Sequence, residues 1–189
     1  KETDIELRPS SMVGAGTGLF ATKKLKAGTM MRYMTTLHKI NEVEESQDET
    51  YFMSVSYMED GISKCSRGMI GNGDPSIHPM CEMKKIDTVA SYINEASIMP
   101  PNCIFVQNEH LTKEDVKKYH KESKPVAIAY IVIPFDIEKG EELFTMYGSS
   151  YGREYKVWRD RHGYKGNLVN IAQEMVDGKV KYIHDMFIK

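Results

Sequence analysis

The sequence lacks the features by which several large protein classes are recognised. Its three cysteines, Cys65, Cys81 and Cys103, are too few and of odd number, which argues against a disulfide framework. The longest apolar run, residues 126–135, reaches about half the length of a membrane span. Its 25 Lys and Arg are matched by 27 Asp and Glu, without the basic excess typical of proteins that coat nucleic acids. We therefore expect an intracellular protein with neither a membrane nor a nucleic acid as direct partner.

The composition is that of a globular chain. Hydrophobic residues make up 41% of the 189 residues and charged residues 28%, which excludes a wholly disordered protein. This length predicts one domain with at most an appendage. Because the first residue is Lys1 rather than Met, we expect the chain to be a segment of a longer protein.

Short apolar stretches between turn residues predict a mainly β chain. The clearest strands are expected at 103–107 and 126–134, which are dense in Ile, Val and aromatic residues. The polar segment 108–124 between them admits two interpretations, a short helix capped by Thr112 or a hairpin tip. Segment 68–79 is rich in Gly, Pro, Asn and Asp, which predicts a loop.

A glycine cluster, Gly14-Ala15-Gly16-Thr17-Gly18, lies near the start of the chain. A dinucleotide-binding loop would need a helix directly after it, but Gly28 interrupts any such helix and the downstream pattern is β. A phosphate-binding loop would need Gly-Lys-Ser/Thr, which is absent. The cluster therefore predicts a tight turn or a close approach to the backbone.

Three more motifs follow in order: Tyr92-Ile93-Asn94 running to Pro101-Asn102-Cys103, then residues 140–148 (GEELFTMYG), then Trp158. The ordered set resembles the SET-domain protein-lysine methyltransferases over about residues 5–160. The resemblance implies a mainly β fold with short helices, built of small curved sheets with a C-terminal pseudoknot. It implies a SET domain at 5–148, with a variable insert at about 58–88 and a hairpin insertion at about 107–125. Residues 149–189 would be a flanking segment of the zinc-free post-SET type.

The same resemblance implies an S-adenosylmethionine-dependent lysine N-methyltransferase. Its partner would be a lysine-containing protein or peptide, most commonly a histone, and a histone substrate would place it in the nucleus. The methyl group passes in line from a sulfonium to a neutral amine, so the substrate lysine, with an ordinary pKa near ~10.4, must first lose a proton. A dry channel and the cofactor's positive charge disfavour the ammonium form. Alignment of the reacting atoms then lowers the barrier further.

Individual residues receive roles from the resemblance. Tyr147 is expected to be the catalytic phenol, with a strand-end tyrosine of bonded hydroxyl as the alternative. Cofactor contacts are expected from six residues, namely Ala15, Gly16, Thr17, Asn94, Glu95 and Trp158. The alternatives are a loop-capping role for Asn94 and, for Trp158, a core position on an amphipathic helix at 151–161. The walls of the substrate channel are expected to include Phe105, Thr145, Tyr57 and Tyr92, with core tyrosine as the alternative for the last two.

Two departures from the family pattern are visible. Glu95 stands where the motif has histidine, and Ala96 stands where it has serine. They support an alternative, a catalytically weak or inactive SET-like module that binds chromatin or a partner peptide; a generic β-rich interaction domain is a third possibility. Phe105 has no hydroxyl to hold a water molecule or the amine, which favours the addition of more than one methyl group. No metal site is expected, because a fourth ligand is missing beside Cys65, His78 and Cys81.

The charge is unevenly distributed along the chain. Residues 41–60 contain seven acidic residues and no Lys or Arg. In SET proteins this region leads into the insert that helps form the peptide groove. The segment is therefore expected either to steer a lysine-rich substrate or to be a solvated acidic loop.

Overall fold

The computed structural model of the chain describes residues 4–43, 51–74, 89–147 and 155–158. Within these ranges the chain is mainly β, as the sequence predicts, with short strands, one α-helix and two 3-10 helices. The strands are β1 (Ile5–Pro9), β2 (Thr17–Ala21), β3 (Met30–Lys39), β4 (Phe52–Glu59), β5 (Ile62–Asn72), β6 (Asn94–Glu95), β7 (Ile104–Gln107), β8 (Val126–Val132) and β9 (Phe144–Thr145). The helices are α1 (Lys113–Glu122) and the 3-10 turns Ile40–Glu42 and Ala90–Tyr92.

The strands form three small sheets. β1 and β2 make an antiparallel pair in which Ile5 lies opposite Ala21 and Pro9 opposite Thr17. The largest sheet has the order β4-β5-β3-β8-β7. The third sheet is a parallel pair of two-residue strands, β6 and β9.

The chain divides into two compact units, each described by itself. Among the described residues, the first unit comprises 4–31, 92–106, 131–147 and 155–158, and the second comprises 32–43, 51–74, 89–91 and 107–130. The domain boundaries expected from the sequence stay a prediction. The flanking segment 149–189, the helix at 151–161 and the pseudoknot fall mostly on residues outside the described ranges.

The burial of side chains explains why the residues of β8 and β3 form strands. Every residue of β8 is buried, which fits an apolar run without polar positions in the interior of a sheet. In β3 buried residues alternate with half-buried ones, as expected when one face of a strand packs on the core. The strands expected at 126–134 and 103–107 are therefore present, as Val126–Val132 and Ile104–Gln107.

The loop expected at 68–79 is wrong for residues 68–72. β5 continues to Asn72, and its end pairs with β3 on one side and with β4 on the other. Glycine-rich composition is a local signal for a loop, but here hydrogen bonding on both sides keeps the backbone extended. The turn that joins β4 to β5 lies at Asp60-Gly61, where both residues have positive φ, 54° and 73°. That is the pattern of a type I′ hairpin turn.

Segment 108–124 contains a helix, which decides between the two interpretations. Thr112 Oγ1 accepts a hydrogen bond from the Asp115 amide at 3.1 Å, and Asp115 Oδ2 accepts one from the Thr112 amide at 3.1 Å. This reciprocal capping box satisfies two amide donors at the first turn of α1. The helix ends at Ser123, whose left-handed conformation (φ 51°) closes it.

Gly71 and Gly68 form a matched pair on β5 for testing the packing of the second unit. A Cβ added at Gly71 would lie 2.8 Å from Ile128 Cδ1 and 2.9 Å from Thr35 Oγ1, whereas at Gly68 it would meet nothing within 4 Å. We expect Gly71→Ala to lower the free energy of unfolding by about 1–3 kcal/mol through overpacking. Gly68→Ala should leave it unchanged or slightly higher, because alanine suits a strand better than glycine. Chemical denaturation measures both, and equal stabilities would contradict this explanation.

Candidate functional site

The glycine cluster forms a tight turn between β1 and β2, as one of its two interpretations predicts. Gly14 and Gly16 have φ of +84° and +67°, a region that glycine enters without steric cost. The Ser10 amide donates to the Gly16 carbonyl at 2.8 Å, and the Ala15 amide donates to the Met12 carbonyl at 3.2 Å. Hydrogen bonds within the protein therefore fix the turn before any ligand binds.

Glu142 is a buried carboxylate that organises this turn, and sequence reasoning did not single it out. Its side chain belongs to a residue only 6% exposed. Oε1 accepts hydrogen bonds from Ser10 Oγ at 2.6 Å and Asn94 Nδ2 at 3.3 Å, and Oε2 accepts from the Ser11 amide at 2.7 Å and the Ser11 hydroxyl. A carboxylate removed from water needs such donors, and four of them match its acceptor capacity.

Gly18 is where the glycine cluster meets Glu142. A Cβ at Gly18 would lie 2.1 Å from Glu142 Oε1 and 2.8 Å from its Cδ. Glycine is therefore required here by close approach, which is the second interpretation of the cluster. The motif around residues 140–143 was a signal for Glu142, but it contains two adjacent glutamates. Only the fold distinguishes exposed Glu141 from buried Glu142.

Asn94 connects the glycine turn with the last strand. Its Nδ2 donates to the Thr17 carbonyl at 3.1 Å and to Glu142 Oε1. On the backbone side, Asn94 lies opposite Phe144 in the parallel β6–β9 pair. Asn102 strengthens the same junction, because its side chain donates to the Glu142 carbonyl and accepts from the Phe144 amide, both at 2.8 Å. The glycine cluster, the motif at 92–103 and the described part of the motif at 140–148 thus meet in the first unit.

Tyr147 is held at both of its ends. Its amide donates to Glu95 Oε1 at 2.8 Å, and its phenol donates to the Ile93 carbonyl at 3.0 Å. The hydroxyl is thus bonded, as the alternative to a catalytic role expects, and the catalytic role stays a prediction. Glu95 is 3% exposed, and its second oxygen accepts from the Tyr155 hydroxyl at 3.1 Å. The carboxylate at the position of the family histidine is thus bonded to protein groups. A cofactor contact from Glu95 stays a prediction.

The other residues predicted for the site in the first unit differ in burial and in hydrogen bonding. Trp158 is half-buried, and its amide donates to the Ala96 carbonyl at 2.9 Å. Phe105 and Tyr92 are half-buried residues of the first unit. Thr145 is fully buried in β9, and its Oγ1 has no hydrogen-bond partner among the described residues.

Tyr57 belongs to the second unit, so the structure does not group it with the others. It lies on β4, with the Lys113 ammonium 6.0 Å from its ring centroid. It lines a cavity of about 530 Å³ together with Lys64, Cys65 and Arg67. A channel-lining role for Tyr57 stays a prediction.

Two of the three described acids of the 41–60 segment, Glu42 and Glu59, are paired with bases of the same unit. Glu42 bonds Lys39 and His120, which lowers its pKa to about 2, chiefly through Lys39. Glu59 bonds Lys64 and Lys113, which lowers its pKa to about 2, chiefly through Lys64. These two acids are partly neutralised. The steering hypothesis therefore rests mainly on the rest of the segment, where 44–50 lie outside the described residues.

The described part of the chain shows no metal-binding cluster, and one of its two cysteines, Cys103, is buried. No group of three or more His, Cys, Asp or Glu side chains in those residues could hold a metal ion, while His78 and Cys81 lie outside them. Burial raises the pKa of the Cys103 thiol, which keeps it protonated. None of the described helices is long and apolar enough to cross a membrane.

Comparisons with known proteins bear on residues 16–148, which match a family model described as SET domain. No curated protein sequence gives a significant match. The SET domain of the RIZ1 tumour suppressor (PRDM2) is 18% identical, with 93% of this chain and 80% of that chain covered and a TM-score of 0.50. ATXR5 in complex with histone H3.1 is 17% identical, covering 82% and 60%, with a TM-score of 0.47. Autoinhibited ctPRC2 bound to S-adenosylmethionine is 18% identical, covering 79% and 16%, with a TM-score of 0.47.

Glu142 and its neighbour Glu141 provide a matched test of the buried carboxylate. Glu142→Gln replaces one acceptor oxygen by an NH2 group. In either orientation of the amide, this NH2 group faces a group of the protein that donates a hydrogen bond to Glu142. We expect the free energy of unfolding to fall by about 1–3 kcal/mol. Glu141 is exposed, and its carboxylate accepts a hydrogen bond from the Glu138 amide at 2.6 Å. Because glutamine keeps an acceptor oxygen, Glu141→Gln should change the free energy of unfolding by about 0.5 kcal/mol or less. Urea denaturation of the two variants checks this, and a tolerated Glu142→Gln would refute the network's importance.

Proposed function

Because this chain belongs to the SET domain family, we propose that it is an S-adenosylmethionine-dependent protein-lysine N-methyltransferase. The observation that carries the proposal is the meeting of the motifs in the first unit, where Asn94 bonds both the Thr17 carbonyl of the glycine turn and the Glu142 carboxylate. We propose a lysine-rich protein segment, such as a histone tail, as the substrate. A nuclear location would follow from a histone substrate.

The glycine turn suits a cofactor that approaches the backbone closely. A Cβ added at Gly14 or Gly16 would meet no atom within 4 Å, so this side of the turn is open. We propose that residues 15–17 and Asn94 hold the methionine end of S-adenosylmethionine and that Trp158 stacks on its adenine. When bound, the cofactor supplies an electrophilic methyl group. The closing segment would be of the zinc-free type.

We propose that Tyr147 aligns the substrate amine. Because its phenol hydrogen is donated to the Ile93 carbonyl, the phenol oxygen can act towards a substrate only as an acceptor. An acceptor suits an amine N–H and orients the nitrogen lone pair. The amine loses its proton before transfer and gains a bond to carbon as the carbon–sulfur bond breaks. The rate enhancement comes from orienting the amine and from excluding water, not from a strong base.

The channel residues bear on how many methyl groups are added. Phe105 has no hydroxyl, and Thr145 is smaller than an aromatic residue. We propose that the site therefore leaves room for an already methylated amine and adds more than one methyl group. Mass spectrometry of the product counts them.

A SET-like binding module without activity is the second candidate. Glu95 favours it, because its carboxylate is engaged with Tyr147 and Tyr155 at the place where the family has histidine. The convergence of the glycine turn, Asn94 and Glu142 favours the enzyme.

Isothermal calorimetry and methyl transfer distinguish the two candidates. We expect S-adenosylmethionine to bind and labelled methyl to appear on lysine when histones or a cell extract are supplied. Mass spectrometry then locates the modified lysines. Absence of cofactor binding would rule out the enzyme, and binding without transfer to any substrate would favour the module.

Tyr147→Phe should abolish methyl transfer without unfolding the chain. The change removes one hydroxyl, while the backbone amide still donates to Glu95. We expect kcat to fall by about 100-fold or more if the phenol orients the amine. Tyr119→Phe, on α1 in the second unit, is the control and should retain activity. Undiminished transfer by the Tyr147 variant would show that the catalytic assignment is wrong.

A further inference from the structure

Glu95 joins three separate parts of the chain through one buried carboxylate. The residue lies on β6, Oε1 accepts from the Tyr147 amide, and Oε2 accepts from the Tyr155 hydroxyl. We propose that Glu95 is a positioning residue that makes the alignment of Tyr147 depend on the docked segment Tyr155–Trp158. This rests on the proposed methyl transfer.

The docked segment binds to the same short stretch of backbone at two further points. The Lys156 carbonyl accepts from Ser97 Oγ at 3.0 Å, and the Trp158 amide donates to the Ala96 carbonyl at 2.9 Å. The Ala96 amide in turn donates to the Thr145 carbonyl at 2.7 Å, two residues before Tyr147. Displacement of the segment would therefore act on Tyr147 along two routes, one through Ala96 and one through Glu95.

A carboxylate is suited to this task because it can accept on both oxygens. Neutral histidine, the residue that the family motif has here, offers one acceptor nitrogen and cannot accept from an amide and a hydroxyl at separate atoms. The carboxylate is nearly inaccessible to water, and charge-assisted hydrogen bonds are stronger than neutral ones. The departure from the motif thus acquires a function of its own.

Two substitutions interrupt the connection at different atoms. Glu95→Met is of similar volume and removes both acceptors, and Tyr155→Phe removes only the donating hydroxyl. Because Tyr155 is 46% exposed, the second change does not threaten folding. We expect each to lower kcat, by about tenfold for Glu95→Met and less for Tyr155→Phe, with the peptide KM within about twofold. The double variant should be no worse than Glu95→Met alone, since both act through one connection.

Two further variants serve as controls. Glu95→Gln should keep most of kcat, because its oxygen can accept from the Tyr147 amide while its NH2 donates to the Tyr155 oxygen. Ser97→Ala removes a contact of the same segment but leaves Glu95, Tyr147 and Tyr155 in place, so kcat should stay within about twofold.

The only tryptophan, Trp158, gives a readout without turnover. Acrylamide quenching of its fluorescence should increase in Glu95→Met and Tyr155→Phe but not in Tyr147→Phe. Full kcat in Tyr155→Phe, multiplicative losses in the double variant, or an equal loss in Ser97→Ala would overturn the proposal. If the unmodified chain transfers no methyl group, the proposed function fails, while unchanged quenching in Glu95→Met would separately refute the docking through Glu95.

Discussion

The first unit depends on the requirement that a carboxylate removed from water be surrounded by donors. Glu142 meets it with hydroxyl, amide and side-chain amide groups drawn from the glycine turn and from β6. Because each donor is fixed in turn by its own backbone, satisfying the carboxylate also sets the relative position of the turn and β9. Gly18 follows from the same requirement, since the carboxylate occupies the space of its missing side chain.

The two buried glutamates of this unit each fix a different part of it. Glu142 organises the side on which the glycine turn lies, and Glu95 organises the side on which Tyr147 lies. In the hydrogen bonds described above, both carboxylates accept from neutral donors, namely amides and hydroxyls. Such hydrogen bonds fix the orientation of the donor groups, because each carboxylate oxygen accepts along defined lone pairs. That suits the proposed methyl transfer, whose main need is alignment.

Sequence reasoning succeeded where the signal is local or ordered along the chain. The apolar run of β8 and the turn at Gly14–Gly18 can be read within a few residues, whereas the Thr112 cap left a hairpin tip open as an alternative. The order of the motifs led to the family. The role of Tyr147 stays a prediction. Reasoning failed at residues 68–72, where pairing with two distant strands overrides glycine-rich composition. It also missed Glu142, because which of two adjacent glutamates turns inward is decided by donors far away in sequence.

The hydrogen bond between Ser10 and Glu142 joins residues 132 positions apart. During synthesis the glycine turn emerges before its acceptor Glu142, which follows only after all the described strands up to β8. Contacts of such separation are entropically costly and form late in folding. A nascent chain therefore carries an incomplete turn until Glu142 has been synthesised. The site is completed only when the stretch that bears Glu142, β9 and Tyr147 has emerged.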